Sequence, residues 1–335
     1  MTVVAEVDLV ARATDFSGVV RIDRGGDVEF ACAYGFAHRG HGIRNTLDTQ
    51  FATASGTKGL TAVVVMGLVE EGSLALTTTA RSVLGGDLPM IDDRVTVEQL
   101  LGHRSGIGDY LDEEEDPELT DYLMPVPVHE LAETEDYLKV LDGRPTKFPP
   151  GERFSYSNSG YVVLALIAER VTGVPFHELV RRRVAERAGM RATEFLRSDE
   201  LPETAALGYL SQDPASRTNV FHLPVRGSGD GGIYTTVADM SSFWLSLFAG
   251  RIVSADAVEE LVRTRSEVPP RHYGLGFWLE NSGGAAMLIG TDAGVSFRSR
   301  HDPTTRVTET VISNTTTGAR PIARLLDDRR PASAP

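Results

Sequence analysis

The chain contains very little cysteine and very little lysine. Cys32 is the only cysteine, so no disulfide can form within the chain and no cysteine cluster can bind a metal. Three lysines stand against 30 arginines. An arginine guanidinium stays protonated in proteins, whereas a lysine ammonium can lose its proton when burial or neighbouring groups lower its pKa. The few lysines therefore indicate where a removable proton would be useful.

Basic residues are outnumbered by acidic ones, and the sequence has no long apolar run. The formal net charge of −14 argues against a nucleic-acid partner, because phosphate binding requires clustered lysines and arginines. No run reaches the roughly 18 apolar residues that span a bilayer. Residues 1–12 also lack the basic start and the continuous apolar core of a secretion signal. We therefore expect a cytoplasmic protein without a membrane span, and its oligomeric state stays open.

Apolar periodicity places strands near both ends of the chain and helices between them. The predicted strands cover residues 18–23, 27–33, 273–280, 285–289, 295–300 and 307–313. The predicted helices cover residues 59–69, 159–171, 176–187 and 319–328. This order predicts an α+β fold in which one antiparallel sheet, built from both termini, is flanked by helices and interrupted by a mostly helical lobe. We expect an α/β lobe from residues 1–76 and 220–335 and a helical lobe from residues 77–219.

Ser55 and Lys58 lie three residues apart at the start of the apolar helix predicted over residues 59–69. Residues at this spacing share one helix face, so the lysine amine can reach the serine hydroxyl. A neutral or proton-sharing lysine can accept the hydroxyl proton and leave a nucleophile. A single pair at one fixed spacing is a weak signal, and the rest of the chain has to support it.

A second signal is Tyr156-Ser157-Asn158, immediately before the apolar helix predicted over residues 159–171. A tyrosine phenol near a lysine ammonium is expected to have a lowered pKa and to act as a general base. Asn158 can donate and accept hydrogen bonds, so it could hold both the lysine and a substrate amide or ester. The structural alternative is a packed tyrosine beside an asparagine that caps the helix.

Three further segments occur in a recognisable order, namely LLGHRSG at residues 100–106, FPPGERFSYSNSGY at 148–161 and GGIYTTVAD at 231–239. With Ser55-x-x-Lys58 and Tyr156-x-Asn158, they make most of the chain resemble the serine beta-lactamase and penicillin-binding-protein-like superfamily, of the class C and esterase type. The resemblance implies an active site at the junction of the two lobes. It also implies Ser55 as nucleophile, Lys58 and Tyr156 as the proton-transfer pair, and an acyl-enzyme intermediate. Which of the pair is the base stays open.

The family's third motif is usually Lys-Thr-Gly or His-x-Gly on a strand beside the site, and the segment that aligns with it is Gly290-Thr-Asp-Ala-Gly-Val-Ser296. Thr291 then stands where the cation is expected, so the usual charge for a substrate carboxylate is missing. Arg298 or His222 could compensate. By the same resemblance, Thr291, Asp292 and Gly294 are candidate substrate-binding residues. The oxyanion hole would combine the Ser55 N–H with one from near Gly294.

Other patterns are assigned structural roles. Gly227-Ser-Gly-Asp-Gly-Gly232 matches a dinucleotide fingerprint, but Thr236 and Asp239 form a capping box, so we expect a turn into a capped helix and no cofactor. His38 and His41 lack a third ligand, so no metal is expected. His103 is predicted to hydrogen-bond its own loop. The acidic run at residues 112–116 is predicted to be a solvated loop that could lie at the rim of the cleft.

The sequence therefore predicts a cofactor-independent serine hydrolase that acts on a small ester, amide or peptide through an acyl-Ser55 intermediate. The missing cation at Thr291 favours esters or neutral amides. A D-amino-acid peptidase, a penicillin-binding carboxypeptidase and a beta-lactamase are alternatives within the class. A catalytically silent binding protein on the same scaffold is the alternative from a different class.

Overall fold

A computed structural model describes residues 2–115, 118–280 and 284–330 of the chain. Its strands are β1 (Gly18–Arg24), β2 (Asp27–Tyr34), β3 (Phe36–His38), β4 (Ile43–Arg44), β5 (Phe51–Ala52), β6 (Tyr234–Thr235), β7 (Ser266–Val268), β8 (Arg271–Tyr273), β9 (Trp278–Glu280), β10 (Ala286–Asp292), β11 (Val295–Asp302) and β12 (Val307–Ser313). Its α-helices are α1 (Val3–Ala13), α2 (Thr57–Glu70), α3 (Ala80–Leu84), α4 (Val97–Leu101), α5 (Leu138–Leu141), α6 (Asn158–Thr172), α7 (Phe176–Val180), α8 (Glu186–Ala188), α9 (Val237–Phe248), α10 (Ala255–Val262) and α11 (Ala319–Asp328).

Eight strands form one antiparallel sheet in the order β2-β1-β12-β11-β10-β9-β8-β7. The N-terminal hairpin joins the C-terminal strands because β1 pairs with β12 along its whole length, from Gly18 opposite Ser313 to Arg24 opposite Val307. This closure confirms the predicted fold class, in which both termini build one sheet. The boundaries proposed for the two lobes stay a prediction.

The strand predicted over residues 273–280 is wrong in one respect. The chain turns back after Tyr273, so β8 and β9 are two short paired strands. Gly276 has a φ of +89° at this turn, and the Gly274 N–H donates to Phe277 O at 2.9 Å. A positive φ is a conformation that glycine adopts without steric cost, so the glycines in this apolar run mark a turn.

Helix α2 is buried almost all round, as its sequence predicts. Residues from Thr57 to Leu68 are inaccessible to solvent or nearly so. The helix packs against α6 on one side and β10 on the other. Gly59 allows the close approach to the sheet, because a Cβ at this position would lie 2.3 Å from Leu288 Cδ2. A helix clamped in this way holds the residues of its first turn in fixed positions.

The helices between the two groups of strands are mostly short. Helix α6 is long and apolar and ends at Gly173, which has the left-handed φ of +66°. The helix predicted over residues 176–187 is present but contains a π-helical stretch, Arg181–Ala185, between α7 and α8. No single helix in the described ranges is long and apolar enough to cross a membrane. Helix α6 and Phe176–Ala188 pass that test only as a pair bent by 85°.

Candidate active site

Ser55 lies in a short 3₁₀ turn, Ala54–Gly56, that leads directly into α2. Ala54, immediately before it, has a φ of +47°, a left-handed conformation that costs a non-glycine residue about 1–3 kcal/mol. Hydrogen bonds hold the turn in place, with the Thr53 N–H donating to Ile233 O at 3.0 Å and the Gly56 N–H donating to Thr53 O at 2.9 Å. The half-buried Ser55 therefore sits on a strained and well-supported turn at a helix N-terminus.

Lys58 joins three parts of the chain. Its Nζ lies 2.9 Å from Ser55 Oγ, 2.8 Å from Asn158 Oδ1 and 2.7 Å from the backbone oxygen of Asp230. An ammonium group has three protons and can satisfy all three acceptors. The neutral amine can still donate to Asn158 and Asp230 while its lone pair faces the Ser55 hydroxyl. The same geometry therefore accommodates both protonation states of the lysine.

Burial lowers the pKa of Lys58. The side chain is only 1% exposed, so its charged form loses hydration that the neutral form does not need. The carboxyl groups of Asp230, Glu113, Asp109 and Asp292 oppose this shift, with Asp230 contributing most among them. The balance favours a lysine that gives up its proton more readily than one in water.

Tyr156 lies beside the lysine, but its environment differs from the prediction. Lys58 Nζ lies 4.9 Å from the centroid of the Tyr156 ring, and Trp278 stacks on that ring at 6.2 Å. Burial raises the pKa of the Tyr156 phenol well above its usual value, and the contact with Ser55 opposes this only in part. The expected lowering of the Tyr156 pKa is therefore wrong, because loss of solvent raises it and the nearby carboxyl group of Glu113 adds to the rise.

Asn158 is the first residue of α6, and Ser157 caps that helix. Its side-chain Nδ2 donates to Leu111 O at 3.0 Å, which orients Oδ1 towards Lys58. The buried carboxylate of Asp109 accepts from the Asn158 N–H at 2.6 Å and from the Ser159 N–H at 3.0 Å. Asp109 was not predicted from the sequence. An aspartate in the loop after LLGHRSG is a signal for it, because carboxylates stabilise exposed helix N-terminal N–H groups.

The His103 ring bonds residues outside its own loop, which corrects the prediction for this residue. Its Nδ1 accepts from the Ser157 N–H at 3.0 Å, and its Nε2 lies 3.0 Å from Tyr273 Oη. The ring lies 4.3 Å from the Tyr156 ring, centroid to centroid. The histidine of LLGHRSG therefore contacts the Tyr-x-Asn segment directly.

Strand β10 passes against the serine turn at Gly290. A Cβ on Gly290 would lie 2.0 Å from Thr53 O and 2.9 Å from the backbone nitrogen of Ser55. The next residue, Thr291, pairs with Ser296 one position before the Asp292–Val295 pair that closes the β10–β11 turn. The pair that flanks a two-residue hairpin turn is hydrogen-bonded, and hydrogen-bonded and non-hydrogen-bonded pairs alternate along antiparallel strands. Thr291 and Ser296 are therefore a non-hydrogen-bonded pair, and the Thr291 N–H faces away from β11.

Gly294 does not fit the predicted role of oxyanion donor. Its N–H donates to Thr316 Oγ1 at 2.9 Å, and its φ of +72° belongs to the β10–β11 turn. Asp292 lies beside the serine turn in a small cavity of about 60 Å³, whose lining includes Asp230 and Gly231. Burial raises the pKa of Asp292 to about 7.

The two residues that could have replaced the missing cation also lie elsewhere. Arg298 pairs with Asp327 and Glu309 through its guanidinium. His222 Nε2 lies 3.1 Å from Thr120 O. Neither side chain belongs to the lining of the cleft above Ser55.

A cleft of about 530 Å³ opens above Ser55. Its lining includes Tyr156, Trp278, Thr291, Glu113, Glu118, Arg271 and Arg320. Part of the acidic run forms its rim, as the sequence allowed, but the run is not simply solvated. Lys147 Nζ lies 2.8 Å from Asp112 Oδ2, and Arg153 lies 2.7 Å from Glu114. Asp116 lies outside the described residues.

The glycine-rich segment at residues 227–232 has a role that sequence reasoning missed. Thr61 Oγ1 donates to Gly229 O at 2.6 Å, and Asp230 O accepts from Lys58. A Cβ on Gly229 would lie 2.2 Å from Tyr161 O, so only glycine permits this approach. Thr236 caps α9 and accepts from the Asp239 N–H, but the Asp239 carboxylate accepts from the Arg191 and Ala192 N–H groups, so only half of the predicted capping box forms. Glycine clustering was the available signal, since it marks close backbone contact.

The predicted absence of a metal site concerns His38 and His41. Within residues 2–115, 118–280 and 284–330, no group of three or more His, Cys, Asp or Glu side chains is arranged to hold a metal ion. His38 and His41 instead contact each other, because the His41 N–H donates to His38 Nδ1 at 3.2 Å.

This fold and this serine–lysine–tyrosine arrangement define a known class of proteins. The family model described as Beta-lactamase matches residues 7–332. The chain therefore belongs to the beta-lactamase family, which confirms the predicted family.

The relatives of this chain include penicillin-binding proteins and an esterase. The chain is 28% identical over 270 residues to the putative penicillin-binding protein PbpX of Bacillus subtilis, covering 79% of this chain and 62% of the relative. It is 31% identical over 226 residues to the esterase EstB of Burkholderia gladioli, covering 63% of this chain and 54% of the relative. The chain thus spans less than two thirds of the length of these curated relatives.

A solved structure matches more completely. The penicillin-binding protein from Bacillus halodurans superposes with a TM-score of 0.90 at 34% identity, covering 96% of this chain and 99% of that one. This match confirms the mixed fold of helices and antiparallel sheet.

Proposed function

We propose that this protein is a cofactor-independent serine hydrolase that cleaves an ester or a neutral amide through an acyl-Ser55 intermediate. The observation that carries the proposal is the position of Lys58 Nζ, 2.9 Å from Ser55 Oγ and held from behind by Asn158 Oδ1 and Asp230 O. A buried lysine with a lowered pKa next to a serine hydroxyl is the arrangement that activates such a nucleophile.

In the acylation step, the neutral Lys58 amine accepts the Ser55 hydroxyl proton while Oγ attacks the substrate carbonyl carbon. The resulting tetrahedral intermediate collapses when its bond to the leaving group breaks. Tyr156, whose raised pKa keeps the phenol protonated, relays a proton to the departing oxygen or nitrogen and is reprotonated by Lys58. Asn158 holds the lysine through its Oδ1.

Water completes the cycle by attacking the acyl ester. The water gives one proton to the Lys58 and Tyr156 pair, and the bond between Ser55 Oγ and the acyl carbon breaks. Ser55 recovers its proton from the same pair, and the carboxylic acid leaves. The two groups share protons throughout, so the pair is expected to titrate as a unit.

We further propose that the oxyanion hole consists of the Ser55 N–H and the Thr291 N–H. The close approach of Gly290 to the Ser55 backbone nitrogen supports this placement, because it brings the free edge of β10 to the serine turn. Two N–H donors aimed at a developing oxyanion are worth about 10²–10³-fold in rate for each donor. The helix N-terminus at α2 favours the same negative charge.

Two features of the cleft bear on the substrate. Leu288, Ile289 and Thr291 around Gly290 provide no cation on β10, which favours an ester or a neutral amide. Arg271 and Arg320 line the same cleft from other elements, and this observation favours a second candidate, a peptidase or penicillin-binding activity on substrates that carry a carboxylate.

Parallel turnover assays separate these candidates. We would incubate the protein with an activated neutral ester, a D-alanyl peptide and a beta-lactam, and use Ser55→Ala as the control. Turnover of the ester alone supports the first proposal, provided that Ser55→Ala abolishes this turnover. Preference for the D-alanyl peptide, lost in Arg271→Ala or Arg320→Ala, would establish the second candidate. No turnover and no adduct with any donor would favour a silent binding protein.

A further inference from the structure

We propose that His103 is a positioning residue that holds Tyr156 against Ser55 and Lys58. The inference rests on the proposed serine hydrolase function and adds a residue to it. Tyr156 has no neighbour in sequence that could fix its ring, because Ser155 and Ser157 flank it in an extended segment before α6. Something outside that segment has to set its position.

His103 binds the chain on both sides of Tyr156. Its backbone oxygen accepts from the Ser155 N–H at 2.8 Å, and its Nδ1 accepts from the Ser157 N–H at 3.0 Å. Between these two hydrogen bonds, the imidazole ring packs on the Tyr156 ring at 4.3 Å with a tilt of 36°. One residue therefore restrains the backbone before Tyr156, the backbone after it and the ring itself.

The hydrogen bonds fix a single tautomer of His103. Because Nδ1 accepts from the Ser157 N–H, the ring proton must be on Nε2, which donates to Tyr273 Oη at 3.0 Å. Tyr161 Oη donates to Leu101 O at 2.8 Å and lies 3.5 Å from Tyr273 Oη. The chain of donors therefore runs in one direction, from Ser157 through His103 and Tyr273 towards Tyr161. The other tautomer, with the proton on Nδ1, would place the ring N–H against the Ser157 N–H, so two donors would face each other.

The surroundings of His103 keep it neutral. It is 1% exposed, and burial together with the nearby Lys58 charge holds its pKa well below the usual value. The groups that face the ring are Tyr156, Tyr161, Tyr273 and Phe154. A charged imidazole would point an Nδ1–H at the Ser157 N–H. His103 therefore acts through geometry and does not exchange protons with the substrate.

The backbone of His103 adopts an uncommon conformation that allows this arrangement. Its φ is +55°, a left-handed conformation that is uncommon for residues other than glycine but is adopted by asparagine and histidine more often than by most. In this conformation the carbonyl oxygen and Nδ1 both reach the same segment. Such strain persists only where the surrounding structure determines it.

Substituting His103 by asparagine or glutamine tests the two hydrogen bonds of its ring one at a time. In His103→Asn, Oδ1 can replace Nδ1 as the acceptor for the Ser157 N–H, and asparagine tolerates the positive φ. In His103→Gln, the amide reaches towards Tyr273 and leaves the Ser157 N–H without its partner. His103→Ala removes both bonds and the ring. The pair of amide variants therefore tests which bond matters at nearly constant polarity.

We expect His103→Ala and His103→Gln to lower kcat about 100-fold while KM changes by less than about threefold, since a misplacement of about 1 Å costs roughly this factor. His103→Asn should recover at least about tenfold of the lost rate, because it restores the acceptor for Ser157. Tyr273→Phe, which leaves the imidazole in place, should give a smaller loss than His103→Ala. If His103→Ala does not fold, the comparison of His103→Asn with His103→Gln decides the matter.

His301→Asn is the matched control. His301 on β11 is also buried, and its Nδ1 lies 2.9 Å from Thr308 Oγ1 on β12. This variant should lower the melting temperature while keeping kcat within about twofold. All rates would be measured below the melting temperature of the least stable variant, so a general loss of stability does not contribute.

Trp278 supplies a readout that does not depend on turnover. It stacks on Tyr156 at 14°, so its near-ultraviolet circular dichroism and fluorescence should change in His103→Ala and return towards the original in His103→Asn. An unchanged Trp278 signal and a kcat within about threefold of the original in folded His103→Ala would overturn the proposal. Equal losses in the Asn and Gln variants would also overturn it. If the unaltered protein has no turnover, the hydrolase proposal fails, and the Trp278 signal still reports on His103.

Discussion

The amine of Lys58 lies 2.9 Å from the hydroxyl of Ser55, inside a site where the lysine is 1% exposed. The lysine reaches this position because its helix is clamped between α6 and β10 and its Nζ is held from the far side by Asn158 and Asp230. In the neutral lysine, the two amine protons donate to Asn158 and Asp230, so the Ser55 hydroxyl faces the lone pair of Nζ. This relationship links the rare lysine of the sequence to the chemistry that the fold supports.

Lys58→Arg should lower kcat about 10³-fold. The guanidinium keeps the positive charge but has no proton that can be removed, and its larger planar group cannot make the three contacts of Nζ. The measurement is steady-state turnover of an activated ester with the rate of acylation followed separately. Lys139→Arg, at an exposed position beside Glu130, is the matched control and should change the rate by less than about twofold. Near-normal activity of Lys58→Arg would contradict a proton-transfer role.

The pH dependence of kcat/KM should report on Lys58. Burial lowers its pKa, and only the neutral amine can accept the Ser55 proton, so kcat/KM should rise with pH through that lowered pKa. Asn158→Asp places a carboxylate 2.8 Å from Nζ, which favours the ammonium and raises the pKa of Lys58. The rising limb should therefore move to higher pH in the variant. A limb that stays in place would assign the titration to another group.

Gly290→Ala should reduce both activity and stability. The added Cβ would lie 2.0 Å from Thr53 O, so either β10 or the serine turn has to move, and the Ser55 and Thr291 N–H groups would separate. We expect a loss of kcat of about 10²-fold or more, comparable to loss of one oxyanion donor. The matched control is Gly67→Ala in α2, where a Cβ has no contact closer than 3.8 Å and alanine should stabilise the helix by up to about 1 kcal/mol. Full activity of Gly290→Ala would argue against the proposed oxyanion hole.

Asp292→Asn should stabilise the protein more at pH 8 than at pH 4. Burial raises the pKa of this carboxyl from 3.8 to about 7, so the folded protein holds a proton that the unfolded chain has already released. The contribution of Asp292 to stability is therefore fully present below pH 3.8 and is lost as pH rises through about 7. Asparagine does not titrate and escapes this loss. Melting temperatures of both proteins across this range provide the measurement, and a difference independent of pH would contradict the raised pKa.

The fold was largely predictable because its signals are local. Short stretches rich in strand-forming residues and bounded by turns mark β1, β2, β11 and β12, and their positions near both termini already indicate a shared sheet. The break between β8 and β9 was missed because Tyr273–Glu280 looks apolar throughout. The turn there depends on the positive φ of Gly276, and a glycine inside an apolar run does not by itself reveal which conformation it adopts.

The active site was predictable only in part, for a related reason. Ser55, Lys58, Tyr156 and Asn158 belong to short motifs, so their spacing is visible in the sequence. Asp230, whose backbone oxygen accepts from Lys58, lies 172 positions away along the chain. Every residue has a backbone oxygen, so no residue type in the sequence predicts this contact. The direction of the Tyr156 pKa shift was also hidden, because burial is a property of the whole fold and is the largest cause of the shift here.

The most direct test of the account is to find which atom carries the acyl group. The protein would be mixed with an activated ester, quenched within the first turnover, and its intact mass and proteolytic peptides measured alongside Ser55→Ala. The account predicts one acyl group per chain, located on the peptide that contains Ser55 and absent from Ser55→Ala. An acyl group on another residue, or an adduct that persists in Ser55→Ala, would show that Ser55 is not the nucleophile.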